Sequence, residues 1–276
     1  MTLLRSTRRL LADAIGEGSV RRLTRIYDRI ARISYDLAPD GRRSIEALRA
    51  YRDVGRGRRA FILGNGPSLG GMNLEPLRSE VTFGLNRVYL LFEKLGFPTT
   101  YLVAVNQLVI EQCAADLLEA DRPMFLAWHS RRFVPDRSSP IFLPTTRARE
   151  FSLDPARGLW EGATVTYVAL QLAHYMGFDP VILIGVDHSF ATKGPAHTKV
   201  TSTGDDPNHF DGRYFGKGFR WNLPDLDTSE VAYRMARAAY EADGRTVLDA
   251  TVGGKLTVFQ KADYEQLFGA PDPRGG

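Results

Sequence analysis

The run Gly64-Asn65-Gly66-Pro67-Ser68 has the residue types and spacing of a turn that binds phosphate or a nucleotide. Gly64 and Gly66 lack a Cβ, so they can take positive φ and let a ligand approach the backbone closely. Pro67 suits the first turn of a helix, and Ser68 can bond an orphan N–H there. A helix N-terminus offers unpaired N–H groups and partial positive charge to a phosphate. The run is neither G-x-G-x-x-G nor a Walker loop, and an ordinary strand-to-helix turn would use the same residues. Other polar residues stand at comparable places. Asn86, Asn106 and Asp187 each follow a short apolar run, as Asn65 does. An asparagine side chain carries both a donor and an acceptor. Asn65, Asn86 and Asn106 gathered at one crevice would read the hydroxyls and base edges of a nucleotide; taken singly, each would cap a turn.

The elements that must position these residues alternate in type from residue 60 onward. Apolar runs of strand character cover Phe61 to Leu63, Val81 to Asn86, Thr100 to Val105, Pro123 to Trp128, Pro140 to Leu143, Pro180 to Val186 and Thr246 to Ala250. Between them lie helical patterns from Val88 to Leu95, from Leu108 to Leu118, from the Gly162-Ala163-Thr164-Val165-Thr166 opening to Met176, and from a Thr228 cap to Asp243. This alternation predicts an α/β fold: a Rossmann-like, mostly parallel sheet with helices on both faces. Ligands bind such sheets beyond the carboxyl ends of the strands, where Asn65, Asn86, Asn106 and Asp187 fall. Residues 189–227 form a long stretch rich in Gly, Pro, Asp and Asn. Its aromatic residues Phe210, Tyr214, Phe215, Phe219 and Trp221 argue for a lid or binding loop over disorder.

The charge is uneven. Residues 1–60 hold 15 Arg, no Lys and 7 acidic residues, a net +8, whereas the whole chain carries only +4. The basic character therefore belongs to an N-terminal extension, expected over 1–57, and not to the main domain at 58–270, which argues against nucleic acid as its partner. In the extension Val20, Leu23, Ile26, Tyr27, Ile30 and Ile33 recur at helical spacing with Arg21, Arg22, Arg25, Arg29 and Arg32 between them. Such a helix packs on its own domain or a second subunit, or lies peripherally on an anionic membrane. Ala38-Pro39-Asp40-Gly41 reads as a turn, followed by a short helix from Ser44 to Arg52. The N-terminus has no continuous apolar segment for a signal peptide or a membrane span, and Cys113 is the single cysteine, so a cytoplasmic location is expected, at most peripheral at the inner membrane face. The five histidines show no zinc spacing; His174 falls in an apolar helix as a core residue, and His129 and His197 fall in polar, solvated loops.

Phe61-Ile-Leu-Gly-Asn-Gly-Pro-Ser-Leu69, Gly84-Leu-Asn-Arg87, the helix between Gly162 and Gly177, and Ile182-Leu-Ile-Gly-Val-Asp-His188 together resemble the MptE-like domain. That family is named after archaeal 6-hydroxymethylpterin diphosphokinase. It is similar to the bacterial sialyltransferases of glycosyltransferase family 42 and occurs in the Maf glycosyltransferases that modify flagellin. The resemblance spans about residues 58–265. It implies that Gly64, Asn65, Gly66, Pro67, Ser68 and Asn86 line a crevice for a nucleotide-sugar donor of CMP type, with Asn106 near the sugar. It implies that Thr164 and Thr166 meet the phosphate or the sugar carboxylate. Within Asp206-Pro-Asn-His-Phe-Asp-Gly-Arg-Tyr-Phe215, the resemblance makes His209 the general base and Tyr214 the contact to the leaving phosphate. The family's Arg-x-Thr-Ser before the helix is replaced here by Gly162-Ala-Thr-Val-Thr166, so sialic acid itself is not implied.

Three readings follow. The first is a glycosyltransferase in bacterial surface-glycan synthesis that acts on a glycan or small-molecule acceptor, expected as a homo-oligomer. The second is a pterin-type diphosphokinase using ATP and Mg²⁺, for which Asp187 would help hold the metal. The third is a nucleotide-binding regulatory module without chemistry.

Overall fold

The structure is a computed structural model that describes residues 17–269; residues 1–16 of the expected extension and Ala270, the expected end of the main domain, lie outside them. Two helices come first, α1 (Glu17–Leu37) and α2 (Pro39–Ala50). Then follow β1 (Ala60–Leu63), β2 (Val81–Leu85), α3 (Phe92–Leu95), β3 (Tyr101–Ala104), α4 (Gln107–Glu119), β4 (Met124–Ala127), β5 (Ile141–Leu143), α5 (Val165–Tyr175) and β6 (Val181–Ile184). The remainder holds β7 (Lys199–Thr201), β8 (Arg220–Asn222), α6 (Leu226–Ala242), β9 (Val247–Asp249) and β10 (Gln260–Lys261).

Eight strands form one sheet in the order β10-β9-β6-β1-β2-β3-β4-β5, and every neighbouring pair is parallel. Successive strand residues enter opposite cores. Ile62, Phe83, Val103, Phe125 and Leu183 pack with Val168 and Leu172 of α5 and with Ala232 and Ala236 of α6. Phe61, Leu63, Leu102, Leu126 and Ile184 pack on the other face with Leu69, Leu91 and the α4 residues Ile110 and Leu117. Burial on both faces is why these strands read as unbroken apolar runs. The α/β expectation holds, and among the described residues the antiparallel pair is β7 with β8, which lies inside the 189–227 loop.

Several expectations change. Ala38-Pro39-Asp40-Gly41 is not a free turn: Pro39 opens α2 at its first turn, where a missing N–H costs nothing. Asp225, not Thr228, caps α6 and accepts from the Thr228 N–H at 3.0 Å. The pair Gln260-Lys261 adds an edge strand that no apolar pattern announces. α1 docks on its own domain through its polar side. The Tyr35 hydroxyl donates to the Phe142 carbonyl at 2.9 Å, and Asp28 accepts from the Thr146 hydroxyl and the Arg147 N–H at 3.2 Å. The apolar side chains expected to do this, Ile26, Tyr27, Ile30 and Ile33, face solvent. The described side chains of α1 do not include those of Val20 and Leu23. Among the described residues no helix is long and apolar enough to cross a membrane.

The chain starts at β1, winds outward to β5, then returns to the other side of β1 as β6. The reversal lies between β1 and β6, and their carboxyl ends are welded together. The Gly64 N–H donates to the Ile184 carbonyl at 2.8 Å, and the Gly66 N–H donates to the Gly185 carbonyl at 2.9 Å. Ser68 donates to Asp187 twice, from its N–H at 3.2 Å and its hydroxyl at 2.8 Å. The glycines serve this closeness, not a left-handed backbone. Gly64 and Gly66 do not have positive φ; Gly185 does, at 67°. A Cβ on Gly64 would stand 2.1 Å from the Gly185 carbonyl oxygen, and one on Gly66 would stand 1.6 Å from an Asp187 carboxylate oxygen. The first clash is wholly with backbone; the second is chiefly with a side chain, with the Gly185 carbonyl oxygen next at 2.9 Å. Gly64→Ala is therefore expected to cost more than Gly66→Ala in urea unfolding, at about 3 kcal/mol against about 1 kcal/mol. Equal costs would contradict this account of the junction.

Candidate functional site

The carboxyl ends of β1, β2 and β3 lie side by side, so Asn65, Asn86 and Asn106 share one edge of the sheet. Their side chains do different things. Asn106 caps α4, its carbonyl oxygen accepting from the Leu108 N–H at 3.0 Å. Asn65 and Asn86 each keep a buried side-chain carbonyl oxygen with no hydrogen-bond partner. Asn86 is also held at φ 49°, a conformation that asparagine tolerates better than most residues. Buried acceptors without donors are rare in folded proteins and mark places where a ligand or water completes the bonding.

Pro67 and Ser68 do not begin an α-helix. They open a five-residue 3₁₀ turn, Pro67–Gly71, too short for the macrodipole expected from the sequence. Ser68 spends its N–H and hydroxyl on Asp187, so both residues brace the loop. His188, next in sequence, turns to Glu230, with Nε2 and Oε1 3.3 Å apart.

Thr164 and Thr166 open α5 as the sequence predicts. Thr164 caps it, accepting from the Thr166 N–H at 3.3 Å. This N-terminus is covered, however. Gly162 and Ala163 both take positive φ, 58° and 61°, and turn the chain under α6. Tyr233 of α6 then sits on the cap, its hydroxyl 3.3 Å from the Thr164 hydroxyl.

The 189–227 loop is folded and docked. Tyr214, Phe215, Trp221 and Leu223 bury themselves with Val109 of α4. Gln112 of α4 accepts from the Arg220 N–H at 3.0 Å and donates to the Arg220 carbonyl at 2.9 Å. Beside β1 the Phe210 N–H donates to the Asn65 carbonyl at 3.0 Å, which places His209 next to the Asn65 turn. His209 Nδ1 lies 2.6 Å from an Asp206 carboxylate oxygen. Its ring stacks on Tyr214 at 4.0 Å between centroids and meets Phe215 edge-on at 4.8 Å. Asp206 is almost wholly buried and also accepts from the Asn208 N–H at 2.8 Å and the Phe215 N–H at 3.0 Å. Burial alone would push this carboxyl up. The hydrogen bonds from His209 and the two amides outweigh it and hold the group below its ordinary value. An ionised carboxylate is an acceptor only, so Nδ1 carries the proton and Nε2 is left as the basic nitrogen.

Tyr214 is not placed as a phosphate contact. Its ring is 1% exposed, and its hydroxyl faces the Arg87 N–H at 3.5 Å and the Asn86 side chain. Burial pushes the phenol well above its ordinary range. Tyr214 supports His209 and Asn86 from beneath. Two contributors escape a sequence reading. Asp206 stands three residues before His209, a spacing that only the folded loop gives meaning. Arg87 follows Asn86 and clamps the lid through the Arg213 and Tyr214 carbonyls, with its guanidinium 5.1 Å from the Phe219 ring.

The other histidines also sit beside carboxylates. His174 is a core residue whose imidazole is kept below its ordinary value by burial. His197 is not solvated, since it bonds Asp225 at 2.8 Å, and His129 bonds Glu161 at 2.9 Å. Among the described residues no three His, Cys, Asp or Glu side chains come together as metal ligands. Both Asp187 oxygens are engaged by Ser68, so the residues present do not fit the Mg²⁺ site that the diphosphokinase reading would place at Asp187.

Fold and site together define a doubly wound α/β protein with the Asn65 turn at its topological switch point and a His–Asp pair on the loop docked beside that turn. No family model and no curated protein matches the sequence. A solved structure shares the fold: a Maf glycosyltransferase from Magnetospirillum magneticum AMB-1, at a TM-score of 0.50 and 17% identity. The match covers 80% of this chain and 38% of that one, so this chain spans well under half the length of that protein.

The Asp206 carboxylate carries a pH signature. Its folded value lies below its unfolded one, so its contribution is complete above about pH 4 and is lost as pH falls through the lowered folded value. Asp206→Asn is expected to cost about 1–3 kcal/mol at neutral pH, and to flatten the stability profile on the acid side of pH 4. Urea unfolding across pH checks both; an unchanged acid limb would contradict the assignment.

Proposed function

We propose that this chain is a transferase using a nucleotide-activated sugar, a glycosyltransferase of the CMP-sugar, sialyltransferase-like kind. The observation that carries the reading is the Asp206–His209 pair, held beside the Asn65 turn by the Phe210-to-Asn65 hydrogen bond at the switch point of the sheet. His209 Nε2 takes the proton of an acceptor hydroxyl as that oxygen attacks the anomeric carbon. The bond from the anomeric carbon to the donor phosphate breaks, and the phosphate leaves with its nucleotide and the bonding electrons. Asp206 holds the imidazole in the required tautomer and stabilises the imidazolium that forms. The Asn65 and Asn86 amides, whose carbonyl oxygens are covered and unpartnered in the free chain, reorient to accept from the donor's nucleotide. An exocyclic amine, which cytosine presents, satisfies such an acceptor; uracil presents an oxygen there. The acceptor is a glycan or a small molecule with a free hydroxyl, and the reaction belongs to surface-glycan assembly.

The test is transfer from CMP-, UDP- and GDP-activated sugars, with ATP plus Mg²⁺ as the diphosphokinase comparison. CMP-linked donors are expected to react without added metal. His209→Ala is expected to lower kcat by about 10²-fold or more while CMP still raises the melting temperature. Asn65→Ala is expected to weaken CMP binding instead. Reaction with ATP and Mg²⁺ alone, or full activity in His209→Ala, would overturn this reading.

A further inference from the structure

α1 carries an apolar stripe that its own domain leaves uncovered. Ile26, Ile30, Ile33 and Leu37 follow one another at spacings of four, three and four, which aligns them along one side of a helix. They are 49%, 63%, 52% and 69% exposed, and Tyr27 beside them is 56% exposed. The opposite side of the helix, with Asp28, Arg32 and Tyr35, is the side that docks.

The charges are sorted in the same way. Asp28 is turned inward onto Thr146 and Arg147, and Asp36 pairs with Arg32 at 2.8 Å. Arg22 and Arg29 face solvent, and at about 100° per residue both lie along one edge of the stripe. Arg147 marks the other edge, its guanidinium 3.8 Å over the Tyr27 ring. An exposed apolar line thus runs between basic edges, while the acidic side chains Asp28 and Asp36 are occupied elsewhere.

We propose that α1 is a docking surface for an anionic lipid bilayer. Ile26, Ile30, Ile33 and Leu37 enter the head-group boundary, Tyr27 sits at its level, and Arg22, Arg29 and Arg147 meet lipid phosphates. A second copy of the chain fits less well. Two stripes packed face to face would bring Arg22, Arg29 and Arg147 of both copies around one seam, with Asp28 and Asp36 already engaged. α1 packs beside the edge strand β5, four strands from β1. This surface is independent of the proposed reaction.

Co-sedimentation of the full chain with vesicles tests it. The chain is expected to bind an equal mixture of phosphatidylcholine and phosphatidylglycerol, not phosphatidylcholine alone, and to release at high salt. The double variants Ile26→Asp/Ile30→Asp and Arg22→Gln/Arg29→Gln are each expected to raise the apparent Kd at least about tenfold, with the melting temperature unchanged because the positions are exposed. No binding to anionic vesicles, or binding unaltered by both variants, would overturn the proposal. So would a dimer in solution that Ile26→Asp/Ile30→Asp converts to monomer, which would assign the stripe to a second copy.

Discussion

The contact on which the rest depends is the closure of the β1 and β6 carboxyl ends. Two backbone hydrogen bonds, Gly64 to Ile184 and Gly66 to Gly185, carry the pairing beyond the last strand residues. Asp187 then ties the Ser68 turn to the far segment, 119 residues away in sequence. The approach is so close that a single added carbon at Gly64 would meet backbone. This fixes the direction of the Asn65 turn and the level at which the lid must meet it.

The lid is the second layer, and it is organised by charge as well as by aromatic packing. Asp206 gathers His209 and the amides of Asn208 and Phe215 around one buried carboxylate. Tyr214 fills the space beneath the imidazole, and Arg87 reaches across from the β2 turn to hold the lid backbone. A buried carboxylate surrounded by donors rigidifies its neighbours, because losing any one donor leaves charge unsatisfied. The histidine is thus delivered by a folded loop, not by a flexible one.

Much of this was legible in the sequence. The apolar runs ending in Asn65, Asn86, Asn106 and Asp187 marked strands and their carboxyl ends, because strands buried on both faces must be continuously apolar. The aromatic content of 189–227 marked an ordered loop. What failed depended on distant partners. Gly64 and Gly66 looked like left-handed or ligand-facing glycines, yet what they make room for is β6's loop, which no local pattern reveals. Ser68 looked like a helix cap and Tyr214 like a phosphate contact; Asp187 and the core under the lid claim them. The N-terminal helix misled for the same reason: its apolar periodicity was real, but Tyr35, Asp28 and Arg32 found partners on the domain and turned that face outward.

The central proposal is that Asp206 fixes His209 with Nδ1 protonated, leaving Nε2 to act as base on a nucleotide-activated substrate bound beside the Asn65 turn. The most direct measurement is nitrogen NMR of the protein labelled at histidine, at neutral pH, before and after adding CMP. The account predicts that His209 carries its proton on Nδ1 and that CMP moves its resonances. A proton on Nε2, or a His209 signal that no nucleotide perturbs, would contradict it.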